Sequence, residues 1–171
     1  MQSEDRSWKD EVSALRAKGL VAEMLRLLQR TANTGFPEAR AVLAKEYFVL
    51  GRFREANNAL KKCEREVQDG DFWSHWHLYS AYFLGVGEQG FLEKLSRGVQ
   101  HLELAAETSR IPQLLMEIAG YYEGGLNGVH KNLERAEEWL RKASETGNEE
   151  AVGRHKRVVS KLKRESRRLR A

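Results

Sequence analysis

Apolar residues recur along this chain at helical spacing, in stripes broken by glycine or proline. Trp8, Val12 and Leu15 form a first stripe that Gly19 ends; Val21, Met24, Leu25 and Leu28 form a second that stops before Gly35. They predict a helical hairpin over 5–18 and 20–33. Pro37 stands at a natural first helical position, where its missing N–H is not needed. Ala39, Val42, Leu43, Tyr47 and Leu50 carry that helix to Gly51, and Phe53, Ala56, Leu60 and Cys63 carry the next to near Gly70. Asp71 is placed to cap a helix with Trp73, Trp76, Leu78, Tyr79, Tyr82 and Phe83. After the glycine-rich loop Gly85–Gly90 comes a stripe of Leu92, Leu95, Val99, Leu102, Ala105 and Ala106. Pro112 opens a helix with Leu114, Leu115, Ile118, Ala119 and Tyr122, and Asn132 caps one with Ala136, Trp139, Leu140 and Ala143. A last helix, over 148–169, aligns Ala151, Val152, Val158, Val159, Leu162 and Leu169 on one face.

The pattern repeats. Leu43-Ala44-Lys45-Glu46-Tyr47, Leu78-Tyr79-Ser80-Ala81-Tyr82 and Ile118-Ala119-Gly120-Tyr121-Tyr122 each run on to glycine, with Tyr47, Tyr82 and Tyr122 spaced 35 and 40 residues apart. That period predicts helical repeats whose apolar faces are buried against their neighbours. The expected fold is an all-α, right-handed superhelical solenoid of about four hairpins with a C-terminal end helix. As a single repeat domain over 1–171, it divides into hairpins over 1–34, 35–70, 71–109 and 110–147 and a basic helix over 148–171. The tyrosines are expected to act as wedges between units. Tyr79 breaks the pattern, standing where Ala44 and Ala119 stand in the flanking units. It should push its partner helix outward or turn its ring to the surface.

These residues carry a resemblance. The run Ile118-Ala119-x-x-Tyr122-x-x-Gly125, followed by Gly128-Val129, Asn132, Arg135-Ala136, Trp139-Leu140, Lys142-Ala143 and Gly147, resembles the Sel-one-like subclass of the tetratricopeptide-repeat superfamily. Gly85-Val86-Gly87, Arg97-Gly98, His101-Leu102 and Ala105-Ala106 extend it; Tyr47, Gly51, Phe53 and Ala56 are closer to an ordinary tetratricopeptide repeat. The resemblance covers about residues 5–150 and departs from the pattern in one extra residue between Gly125 and Gly128, and in Asn132 for the usual aspartate. It implies a scaffold or adaptor that holds a peptide or helix of another protein on a concave face lined by the first helix of each hairpin. By position, that face takes Arg6, Lys9 and Arg16, then Glu38, Lys45 and Phe48, then Trp73, Trp76, Ser80 and Phe83, then Gln113, Met116 and Glu123. Trp73, Trp76 and Phe83 are the sharpest candidates, because large aromatics anchor interfaces. Burial of the two tryptophans between units is the competing reading.

Charge adds a second candidate surface. Residues 151–171 hold nine Lys/Arg against one Glu, while the rest of the chain holds 20 against 24 Asp/Glu. Arg154, Arg157, Lys161, Arg164 and Arg168, with Lys156, Lys163, Arg167 and Arg170, form a basic helical face opposite the apolar stripe. This is an alternative site for nucleic acid, through phosphate contacts, or for a membrane surface. No aromatic residue interleaves with these cations to offer base stacking.

Other chemistry finds little support. Cys63 is the lone cysteine, and His75, His77, His101, His130 and His155 have no metal-ligand spacing on one helix face. Gly85-x-Gly87-x-x-Gly90 matches a dinucleotide fingerprint but follows a helix instead of a strand. Neither a nucleophile elbow nor a phosphate loop occurs. We therefore expect no catalytic residues, no cofactor and no metal. No apolar run reaches the roughly 18 residues of a membrane span, and residues 1–18 do not read as a secretory signal. A cytoplasmic protein is the default expectation.

Overall fold

The computed structural model describes residues 2–84 and 91–169, and every regular element among them is an α-helix. The Gly85–Gly90 loop and Arg170 lie outside the described residues, as do the side chains of Arg6 and Leu92. The chain divides into two units, Met1–Gly87 and Glu88–Ala171. The first holds α1 (Gln2–Ala17), α2 (Val21–Asn33), α3 (Pro37–Val49), α4 (Phe53–Glu66) and α5 (Phe72–Leu84). The second holds α6 (Phe91–Ser109), α7 (Pro112–Gly124), α8 (Leu133–Ser144) and α9 (Glu149–Arg168). The two helices read from sequence as one hairpin over 71–109 therefore fall in different units.

Helix starts follow local chemistry. Pro37 and Pro112 each occupy the first turn of their helix. Asn132 Oδ1 accepts from the Arg135 N–H at 2.8 Å, Asn148 Oδ1 from Ala151 at 2.9 Å, and Asp71 Oδ1 from Ser74 at 3.1 Å. Each satisfies a donor that the helix itself leaves free. At the end of α7, Gly125 adopts φ 66°, and a Cβ there would approach the Lys131 backbone nitrogen at 3.1 Å. Only glycine takes both the left-handed turn and the close approach without strain. α4 stops at Glu66, well short of Gly70, because Val67 turns to extended backbone and packs against the core.

In the first unit each helix packs on its chain neighbour, and α3 also packs on α5. The core joins Trp8 and Val12 of α1, Met24 and Leu28 of α2, Leu43, Ala44 and Tyr47 of α3, Ala56, Leu60 and Cys63 of α4, and Leu78, Ala81 and Tyr82 of α5. Ala44 and Ala56 are wholly buried, as small residues must be where two helix backbones come close. Arg40 ties three helices together: Nη2 donates to the Ala32 carbonyl at the end of α2 and Nε to Glu66 at the end of α4, each at 2.6 Å. In the second unit α7 packs against α6 and α8, and α8 against α9. Val99, Leu102, Leu115, Ile118, Ala119, Ala136, Leu140 and Ala151 are buried there.

Two of the three recurring tyrosines bridge to the helix before their own. Tyr82 donates to Glu64 on the preceding helix, and Tyr122 to Glu103 at 2.9 Å on its own preceding helix. Tyr47 is buried under the Arg52 guanidinium, 4.5 Å from the ring centroid. Tyr79 does not turn its ring to the surface. It is buried in an aromatic row with Trp76 (5.5 Å) and Phe83 (4.6 Å), in which neighbours three and four residues along α5 supply the cover. No helix among the described residues is long and apolar enough to cross a membrane.

Candidate functional site

The first helices of the repeats, α1, α3 and α5, enclose a cleft of about 280 Å³ within the first unit. Trp8, Lys9, Val12, Ser13 and Arg16 come from α1, Glu38, Val42, Lys45 and Glu46 from α3, and Trp73 and His77 from α5. The spacing within each helix explains the gathering: 9, 13 and 16, then 38, 42 and 45, then 73 and 77 are three or four residues apart and share one face.

The floor is apolar where Trp8 and Val12 are buried, and Trp73 stands at the mouth, 53% exposed. Lys9 Nζ lies 5.5 Å from the Trp8 ring and 5.7 Å from the Trp73 ring, within cation–π range of both. Trp73 stacks on His77, with centroids 6.4 Å apart and planes 28° from parallel.

A polar chain runs below this aromatic edge. Lys9 pairs with Glu38 at 2.7 Å, Glu38 meets His77 Nε2 at 3.4 Å, and His77 Nδ1 lies 3.5 Å from Lys45 Nζ. The two ring nitrogens of His77 thus face different partners, Nδ1 the Lys45 ammonium group and Nε2 the Glu38 carboxylate. Arg16 pairs separately with Glu46. Burial alone would raise the Glu38 pKa, but hydrogen bonds from His77 and Lys9 hold its carboxyl below the usual range. Burial pulls Lys45 below the ordinary lysine value; Glu46 opposes this shift and Arg16 adds to it. Lys45 forms no ion pair among the described residues.

Of the residues expected from sequence, Lys45 and Trp73 line this cleft, together with Lys9, Arg16 and Glu38. Trp76 and Phe83 do not; they are half-buried in the row with Tyr79, so the expected aromatic cluster is split between two faces of α5. Ser80 is half-buried, and its hydroxyl donates back to the Trp76 carbonyl at 2.9 Å. Phe48 and Met116 were expected on an open face and are corrected: they are 6% and 7% exposed. Phe48 packs toward Phe53 at the start of α4, ring centroids 6.3 Å apart. The Met116 carbonyl accepts from Arg154 of α9 at 3.1 Å, so α9 reaches over that stretch of α7. Gln113 is exposed. Glu123 is held by Arg154 at 3.0 Å and Lys161 at 3.4 Å.

Two members of the basic surface, Arg154 and Lys161, are thus engaged within the second unit. Arg157, Arg164 and Arg168 are exposed, as are Lys156, Lys163 and Arg167, and none of these forms an ion pair among the described residues. His77, Trp8 and Val12 went unrecognised as cleft residues in the sequence. The signal was present, since His77 follows Trp73 by four residues, but the pairing of α1 with α5 across α3 is a tertiary fact. Among the described residues no three His, Cys, Asp or Glu side chains gather as a metal site.

Comparison with solved structures finds a structural likeness. The crystal structure of a Sel1 repeat protein from Oxalobacter formigenes covers 75% of this chain and 51% of its own, at 20% identity and a TM-score of 0.46. The chain spans about half the length of that protein. No family model and no curated protein matches the sequence.

Proposed function

We propose that the chain is a protein-interaction module, a scaffold or adaptor that takes a peptide or helix of a partner into the cleft between α1, α3 and α5. The observation that carries this reading is Trp73: a large aromatic side chain, more than half exposed, at the mouth of a cleft with an apolar floor and an ion-paired wall. Exposed aromatics beside such recesses supply most of the binding energy at protein interfaces. The mechanism is shape and anchor binding without bond chemistry. Trp73→Ala is the test. It should abolish retention of partner proteins while leaving the melting temperature unchanged, because the indole is not part of the core. Retention equal to the parent chain would refute the reading.

A second reading is favoured by one observation, the six exposed cations of α9 that form no ion pair among the described residues. They suit a polyanion such as nucleic acid, whose affinity would fall steeply with salt. The apolar side of α9 packs through Ala151 and Val158, which favours phosphate contacts over membrane insertion.

A further inference from the structure

Three cations and two carboxylates line the cleft. Lys9 is matched by Glu38 and Arg16 by Glu46. Lys45 is left over. It is half-buried, its hydrogen-bond partner is a ring nitrogen of His77, and that same ring stacks on Trp73. The His77 ring thus touches both an apolar, exposed indole, against its face, and the Lys45 ammonium group, at its Nδ1 edge. A half-buried ammonium group with no carboxylate in ion-pair contact among the described residues favours a ligand that brings one, and a hydrogen bond to a charged group is stronger than a neutral one.

We propose that the cleft is selective for an acidic-apolar peptide: a partner segment that lays an apolar side chain on Trp73 and directs an Asp or Glu side chain of the same segment to Lys45 Nζ. The proposal rests on the interaction-module reading and specifies its ligand. A basic segment is disfavoured, because both carboxylates of the cleft already have cationic partners and Lys45 would repel it. Ion pairing with a partner carboxylate also offsets the burial that disfavours the charged form of Lys45.

The test uses the full chain and a library of acetylated, amidated peptides, so that only side chains supply charge. Each peptide carries Leu or Phe followed, within three residues, by Glu, Gln or Lys, and binding is read by fluorescence polarisation. The Glu peptides should bind about tenfold more tightly than their Gln counterparts. Lys45→Gln should erase that difference, Lys45→Glu should shift preference to the Lys peptides, and Trp73→Ala should weaken Glu and Gln peptides alike. Should Lys45→Glu fail to fold, Lys45→Gln decides alone. Binding that depends on Trp73 but treats Glu, Gln and Lys peptides equally overturns the acidic selectivity and spares the cleft. Binding of no peptide, or binding indifferent to both Trp73 and Lys45, overturns the cleft reading itself.

Discussion

The Tyr122 hydroxyl reaches from α7 back to the preceding helix, α6, and donates to the Glu103 carboxylate at 2.9 Å. Tyr82 makes the equivalent contact from α5 to Glu64 on α4. In the third and fourth repeats the tyrosine is thus a two-part wedge, with a ring packed between helices and a hydroxyl bonded to the preceding helix. Arg135 adds to the fourth-repeat wedge, 5.5 Å from the Tyr122 ring centroid and 3.4 Å from Glu103. Tyr122→Phe keeps the ring and removes the hydrogen bond. It should lower stability by about 1 kcal/mol, seen as a lower denaturation midpoint. An unchanged midpoint would mean that the ring alone does the work.

Arg40 is a buried cation with two fixed acceptors, the Ala32 carbonyl and Glu66, on two different helices. Arg40→Met should destabilise the first unit by about 2 kcal/mol, because it leaves a helix-terminal carbonyl without its donor. Arg40→Lys should recover little of this, since a single ammonium lacks the planar fork that spans both acceptors. Urea denaturation followed by circular dichroism measures both variants. A lysine variant as stable as the parent would count against the bridging role.

Cys63 is wholly buried, its thiol donates to the Pro37 carbonyl at 3.2 Å, and burial pushes its pKa up to about 12. The reactive thiolate is therefore essentially absent near neutral pH. Ellman's reagent at pH 8 should leave the folded chain unmodified and label it stoichiometrically in urea. Rapid labelling without denaturant would show that α4 opens readily.

Much of the fold was legible in the sequence because its signals are local. Pro37, Pro112, Asp71 and Asn132 set helix starts through backbone geometry that needs no tertiary partner, and the tyrosine period marks repeated packing of one helix pair on the next. The cleft was legible in part. Lys45 and Trp73 were found because position within a repeat fixes which face a residue occupies. Phe48 was misplaced because neighbouring positions on a helix diverge by only about 100°, and a large apolar side chain at the margin turns toward whatever covers it. Trp76 left the groove for the same reason, drawn into a row with Tyr79 that no single-repeat pattern encodes. His77 gains its meaning only from Glu38 and Lys45, which lie on another helix.

Glu38 links the cleft to pH. Its carboxyl is faced by Lys9 from α1 and His77 from α5, and it is held below its ordinary value of 4.5 in the folded chain. A carboxyl whose folded pKa is depressed contributes stability that is fully present above the unfolded pKa and is lost as pH falls through the folded one. The parent chain should therefore lose more stability than Glu38→Gln as pH is lowered from about 5 to about 3. Parallel losses in the two chains would mean that the carboxyl is not stabilised in the fold.

The second unit offers a contrast between two partners of one ion pair. Glu123 is half-buried and holds both Arg154 and Lys161, but Arg154 also donates to the Met116 carbonyl. Glu123→Gln removes only partly exposed ion pairs and keeps an acceptor of the same shape, so its effect should stay below about 1 kcal/mol. Arg154→Met removes the donor to a backbone carbonyl as well as the charge pair, and should cost more than Glu123→Gln, about 1–2 kcal/mol. Thermal melting of both variants at low and high salt separates the two contributions. The Glu123→Gln loss should shrink in salt, where exposed pairs are screened, while most of the Arg154→Met loss should remain. If both losses vanish in salt, α9 is held to α7 by charge alone and the hydrogen bond to Met116 contributes nothing.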